Sequence, residues 1–283
     1  MINPRGLFQT AGLAIVLLMT GAKAQAVGFG EETVSIRLGT FLSDFDTTAT
    51  LSGPNGGTSV NLEDALGLDD QQATFRGELG WRFAPRHRVV LGYYDFERSS
   101  VGMSSSSFTV DTPEGTYVFD ANATITTEFD WRLIPISYAY SFYKTDDLEL
   151  SASVGVHWFD ATIGFTGSAT VTPPGGVPTP VASAAEAETA SGPLPVFGLQ
   201  AGYAITPKWV VGGHLNYFGL EYDEYSGSLV DARLDTEYWF TDNFSVGLGY
   251  TWYNIDFAKE KGPYKVGIDY LYNGLEAFVG FRF

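Results

Sequence analysis

The chain ends on Leu275-Glu276-Ala277-Phe278-Val279-Gly280-Phe281-Arg282-Phe283. Read with a period of two, this stretch puts Leu275, Ala277, Val279, Phe281 and Phe283 on one face and Glu276, Phe278, Gly280 and Arg282 on the other. Such alternation is the mark of a strand with two unlike faces. The pattern recurs upstream. In 72–83, Phe75, Leu79, Trp81 and Phe83 oppose Arg76, Glu78 and Arg82; in 148–159, Leu148, Leu150, Val154, Val156 and Trp158 oppose Glu149, Ser151, Ser153 and His157. In 229–240, Val230, Leu234, Tyr238 and Phe240 oppose Asp231, Arg233, Asp235 and Glu237; 244–254 continues in the same way. Ten segments are predicted: 33–42, 72–83, 89–98, 131–142, 148–159, 195–205, 209–220, 229–240, 244–254 and 268–283. Each is close to the ~9–11 residues a tilted strand needs to cross a bilayer. In the third and fourth segments, Val89-Val90-Leu91 and Leu133-Ile134-Pro135-Ile136 are compatible with either face outward.

The connections alternate in length. Ala84-Pro85-Arg86-His87, Lys144-Thr145-Asp146-Asp147, Thr206-Pro207-Lys208 and Thr241-Asp242-Asn243 carry the residues of tight turns. The others, 43–71, 99–130, 160–194, 221–228 and 255–267, read as long loops, the third of them rich in Pro, Gly, Ala and Ser. Short turns at one end and long loops at the other are the plan of an outer-membrane barrel, with the short turns in the periplasm. The predicted fold is therefore all-β: a transmembrane up-and-down antiparallel barrel of ten strands, with eight as the alternative count.

The first 26 residues stand apart. Arg5 precedes the apolar run Ala11–Met19, and Ala22-Lys23-Ala24 and Ala24-Gln25-Ala26 offer small-residue cleavage sites, the layout of a secretory signal peptide. The barrel domain then covers 27–283. Without Arg5 and Lys23, 14 of the 16 basic residues remain against 33 acidic ones, a net charge of −19, which argues against nucleic acid as a partner. The chain is 15% aromatic, holds 33 glycines and no cysteine, and is only 17% charged, against ~25% in soluble domains.

The polar faces exclude a soluble barrel with a dry interior, because unpaired buried charge is costly. They bring five basic residues (Arg37, Arg76, Arg82, Arg233, Arg282) and six acidic ones (Glu78, Glu149, Asp231, Asp235, Glu237, Glu276) into the predicted lumen. A ten-stranded barrel is narrow enough for side chains to fill, so an ion-paired plug is favoured over a charged constriction. Strand adjacency predicts Arg37 paired with Glu78 and Glu276. The aromatics beside the short turns, Phe83, Tyr140, Phe142, Tyr203, Trp209, Phe240, Phe244, Phe281 and Phe283, form a predicted interfacial girdle.

The terminal strand, with Val279, Phe281 and the final Phe283, resembles the C-terminal signal that outer-membrane barrels present to their insertion machinery. Together with 62–70 leading into 75–83, it makes the chain resemble the broad family of small outer-membrane barrels that includes opacity-type, OmpA-like and OmpW-like surface proteins. That resemblance implies an outer-membrane location, lipid and lipopolysaccharide as surroundings, and surface exposure, adhesion or small-solute passage as roles.

Signs of chemistry are sparse. The three histidines are His87 in a short turn and His157 and His214 on lumen faces. Ser151 and Ser153 share a face with His157, but nothing completes a nucleophile–base–orienting set. Neither zinc nor any cofactor is implied. An enzyme is not expected. The first four loops carry 17 acidic residues and no Lys or Arg, with Glu63, Asp64, Asp69 and Asp70 as the densest cluster. Acidic loops keep clear of an anionic lipid surface, and clustered carboxylates suit divalent cations. The reading is a non-enzymatic surface barrel that presents acidic loops, with a narrow channel as the alternative.

Overall fold

The alternating segments pair in chain order and close on themselves. The computed structural model describes residues 28–283 apart from 54–55, 104–106, 113–114, 121–122, 223 and 263. The stretch read as a signal peptide lies outside the described residues. The barrel strands are β1 (Val34–Gly53), β3 (Gln71–Ala84), β4 (His87–Met103), β7 (Thr124–Lys144), β8 (Leu148–Thr172), β9 (Thr179–Thr206), β10 (Trp209–Tyr222), β11 (Tyr225–Trp239), β12 (Phe244–Lys261) and β13 (Tyr264–Arg282). Each is antiparallel to its neighbours, and β13 pairs with β1 from Ser35↔Arg282 to Ser52↔Lys265. Beyond the strand, Phe283 continues the seam: its carbonyl accepts from Thr33 N and its N–H donates to Val34 O. The count is ten, not eight.

Closure leaves no edge, so every wall segment has its backbone groups paired within the protein, as a bilayer requires. The faces sort accordingly. Each of the ten strands turns an aliphatic side chain outward, from Leu91 at 41% exposure to Leu234 at 70%, while Arg76, Arg233 and Glu276 on the inner faces are at most 5% exposed. In water such an apolar exterior would be unstable; around it belongs hydrocarbon. At the short-turn end the girdle is continuous in places: Trp81, Phe83, His87 and Tyr140 follow one another at ring separations of 5.5, 5.7 and 5.2 Å. His87 thus belongs to the girdle and bonds Tyr138 Oη at 2.6 Å.

The long connections differ from the expectation of loops. The β8–β9 hairpin stays paired to Val171↔Thr179, so most of 160–194 is strand, and β12–β13 pair to Lys261↔Tyr264. Beyond the apolar belt the outer face meets water, while the inner face stays partly buried around Phe119, Ile125 and Ala169. Alternation of Thr, Ser and Ala then carries no hydrophobic contrast, and the segments read as loops. Three short strands add to the hairpin end: β2 (Gly56–Asn61) pairs with β1, and β5 (Phe108–Thr112) pairs with β6 (Gly115–Phe119), which pairs with β8.

One helical turn, α1 (Leu62–Leu66), folds over the barrel mouth. Asn61 caps it by accepting from Asp64 N, and Gly67 ends it at φ 68°, a left-handed conformation that glycine tolerates best. Leu62 and Leu68 are thereby buried against the lumen aromatics.

Candidate functional site

The lumen is the candidate site, and it is layered. At the mouth, Arg98 on β4 donates to Glu63 Oε1 (2.6 Å), to Asp69 O (3.1 Å) and to Thr47 Oγ1 (2.7 Å). Its guanidinium lies 4.2 Å from the Phe45 ring centre and 5.1 Å from that of Phe129. Arg98 therefore latches the α1 segment to the barrel. This draws Glu63 out of the acidic cluster read for divalent cations. Among the described residues no group of three or more metal-ligating side chains is assembled.

Below the latch lies an aromatic layer. Phe41, Phe45, Phe96, Phe129, Trp131, Tyr253, Tyr270 and Tyr272 are all buried, at 6% exposure or less. Trp131 and Tyr270 stand 4.7 Å apart, and Tyr253 stacks on Tyr272 at the same separation. Ten strands enclose a lumen that such rings fill.

Beneath it the charged residues meet. Arg233 donates to Glu78 Oε1 (2.8 Å) and lies 3.4 Å from Asp235 and 3.2 Å from Glu276. Arg76 reaches Glu276 (3.3 Å), Thr251 Oγ1 (2.8 Å) and Tyr94 Oη (2.9 Å), and Tyr94 donates to Glu78. Nearer the short turns, Arg82 grips Glu149 with both terminal nitrogens (2.8 and 3.0 Å) and also Glu32 (3.2 Å). Glu149 accepts from Ser141, and Glu237 from Ser245. Arg282 lies 3.9 Å over the Trp239 ring and donates to Asp242 O.

One pairing is corrected. Arg37 is the cross-strand neighbour of Glu78, yet its ion pairs are Glu237 at 3.0 Å and Asp235 at 3.6 Å on β11. Glu78 and Glu276 are taken instead by Arg76 and Arg233. In a narrow barrel a long side chain crosses the lumen as readily as it reaches along the wall. The sequence reading also left out Arg88, Arg98 and Glu32. The two arginines fall on β4, where an even-number inward register, set by Tyr94 and Phe96, would have found them.

Beside the charged layer is a cavity of about 230 Å³. It runs from Phe29, Glu32 and Arg282 at the short-turn end to His157 and Asp231 under the aromatic layer. His214 Nε2 lies 3.1 Å from Asp231 Oδ2, which also accepts from Asn216 at 2.9 Å. His157 packs face to face with Tyr253. Ser151 donates to Ser141, and among the described residues no serine hydroxyl is bonded to a histidine.

No family model matches the chain, and no curated protein matches it. Solved structures do. The outer-membrane protease OmpT from Escherichia coli aligns over 88% of this chain and 97% of its own, with a TM-score of 0.54 at 12% identity. The translocator domain of the autotransporter NalP from Neisseria meningitidis aligns over 99% and 97%, with a TM-score of 0.44 at 10% identity. The Pseudomonas putida toluene transporter TodX aligns over 88% and 89%, with a TM-score of 0.34 at 8% identity. At such identities the likeness to OmpT concerns the fold. The chain is an outer-membrane β-barrel.

Proposed function

We propose that this barrel is a closed, non-enzymatic surface protein that holds long acidic hairpins above the outer membrane. The observation that carries this reading is the aromatic layer, which fills the lumen under the Arg98–Glu63 latch. A conducting pore needs a wet path, and eight buried rings stand where it would run. The hairpins supply the rest of the reading: β8 and β9 extend far past the apolar belt and end in the exposed tip 173–178. Their role as a display surface agrees with what the resemblance to opacity-type, OmpA-like and OmpW-like surface proteins implies. In the same reading lipid and lipopolysaccharide surround the belt, divalent cations gather at the acidic hairpins, and Val279, Phe281 and Phe283 address the insertion machinery.

The test is conductance in planar bilayers. Purified wild-type barrel is expected to stay silent in concentrated potassium chloride. The variant Trp131→Ala/Tyr270→Ala, with two plug rings removed, is expected to give steps. Regular unit conductance from the wild type would refute closure. Altered lipid A or phospholipid in cells overproducing the protein would refute the non-enzymatic reading.

A further inference from the structure

Above the apolar belt the wall opens along one strand. The β9–β10 ladder ends at Tyr217↔Phe197, whereas β9 stays paired with β8 up to Thr179 and β10 with β11 up to Tyr222. Ala204 N donates to Asp147 O. Antiparallel pairing alternates, so even-numbered residues of β9 direct their backbone groups to β8 and odd-numbered ones to β10. In that register the next two partners for β10 would be Pro195, level with Gly219, and Pro193, level with Glu221. Neither has an N–H to donate, and proline is tolerated in a sheet where that side of the strand is unpaired. Two prolines at alternate positions thus release β9 from β10. Past them, Ala185, Ala187, Thr189 and Ser191 direct N–H and C=O groups to the free side, and among the described residues no strand pairs with them there.

Proteins blunt an exposed edge with lysine, proline, a bulge or a cover. The two prolines guard one end of this edge, and the register shift between Gly167 and Ala169 on β8 marks the other. Between them, 184–192 holds neither Lys nor Pro, and Ala185, Ala187, Thr189 and Ser191 are small and exposed. Unbroken pairing with β8, from Gly167↔Ala184 to Phe159↔Gly192, keeps the segment extended. Such an edge is a template for one more strand. Charge selects the occupant. The stretches 160–194 and 218–228 contain Asp160, Glu186, Glu188, Glu221, Asp223 and Glu224 and no Lys or Arg. A second copy would bring this acidic set against itself, and like charges across a ladder repel. We infer that the β9 edge over 184–192 takes a cationic extended peptide segment of another protein as an added strand. Backbone hydrogen bonds supply the affinity, and the carboxylates supply the choice of sequence. The inference rests on the display reading, for which it names the chemistry of the partner.

Fluorescence anisotropy on the folded barrel in non-ionic detergent tests this, with the labelled peptide Lys-Val-Thr-Val-Lys-Thr-Val-Lys as probe. Saturable binding is expected, and it should vanish when the lysines of the probe are replaced by glutamate. Ala187→Pro removes an N–H that faces away from β8, so the barrel is expected to fold and to bind the probe roughly tenfold or more weakly. Ala187→Val keeps that N–H and is expected to bind as wild type does. Hydrogen exchange on the wild type needs no variant: the probe is expected to slow amide exchange within 184–192. No saturable binding at millimolar probe, wild-type affinity in Ala187→Pro, equal binding of the glutamate probe, or binding without slowed exchange in 184–192 overturns the inference. Slowed exchange there that grows with barrel concentration alone would assign the edge to a second copy and overturn it too. The display reading fails on other observations, channel steps from the wild type or hairpins on the periplasmic side, and this titration reads neither.

Discussion

Arg233→Met is the sharpest test of how the lumen is held. The Arg233 side chain is 2% exposed and serves three carboxylates, Glu78 at 2.8 Å, Asp235 at 3.4 Å and Glu276 at 3.2 Å. Methionine keeps much of its length and none of its charge. Asp235 then keeps Arg37 at 3.6 Å, while Glu78 and Glu276 must share Arg76, at 3.7 and 3.3 Å. Removing one member of a buried ionic network costs about 3–5 kcal/mol, because the partners stay buried and uncompensated. The adjoining cavity leaves Glu78 16% exposed, so the lower end, about 3 kcal/mol, applies. Equilibrium urea unfolding in detergent, followed by tryptophan fluorescence, measures it, with heat-dependent gel mobility confirming that the variant folds. Glu276, itself 2% exposed, is the partner left worst off. Neutralising it in Arg233→Met/Glu276→Gln should therefore return at least about 1 kcal/mol, read as a coupling energy. Lys265→Ala, which breaks a hairpin ion pair of 2.9 Å in open solvent, should be indistinguishable from wild type. The reasoning fails if Arg233→Met lies within about 1 kcal/mol of wild type, or if the double variant is no more stable than the single one.

Gly247→Ala should lower stability by about 1–3 kcal/mol, since a methyl group there overlaps the Phe278 ring, and Phe278→Leu should restore most of the loss in the same unfolding assay. Arg98→Met should release the α1 segment, seen as faster proteolytic cleavage within 62–70 in reconstituted vesicles; a wild-type cleavage rate would show that Arg98 does not latch it. An epitope inserted between Gly175 and Gly176, in the exposed tip of the β8–β9 hairpin, should be tolerated and labelled on intact cells, whereas labelling only after permeabilisation would put the hairpins on the periplasmic side.

What could be read from the sequence divides along the barrel wall. The outer face meets one uniform solvent, hydrocarbon, so each residue there obeys a local rule and ten strands emerge from alternation alone. Where the rule is silent, the reading fails. Val89, Val90 and Leu91 are apolar in succession, so β4 has no register in the sequence, and with the register went Arg88 and Arg98. The hairpins beyond the apolar belt no longer turn an apolar face outward, and alanine-rich stretches of sequence such as 182–187 show little contrast.

The inner face obeys a rule that is not local. Strands lie about 4.8 Å apart, so counted along the wall β11 is three strands from β1, much farther than Glu78 on the adjacent strand. Arg37 nevertheless ends on Glu237, because the chord across a ten-stranded lumen is within reach of an arginine. Glycines mark the same geometry: Gly247 and Gly280 leave the room that Phe278 and Glu237 occupy. The inner residues are therefore chosen as sets around one level of the barrel, each complementary to side chains several strands away. Such a set must balance in charge as well as in volume; Arg88, which meets the neutral Gln200 and no carboxylate among the described residues, stands where the register was illegible.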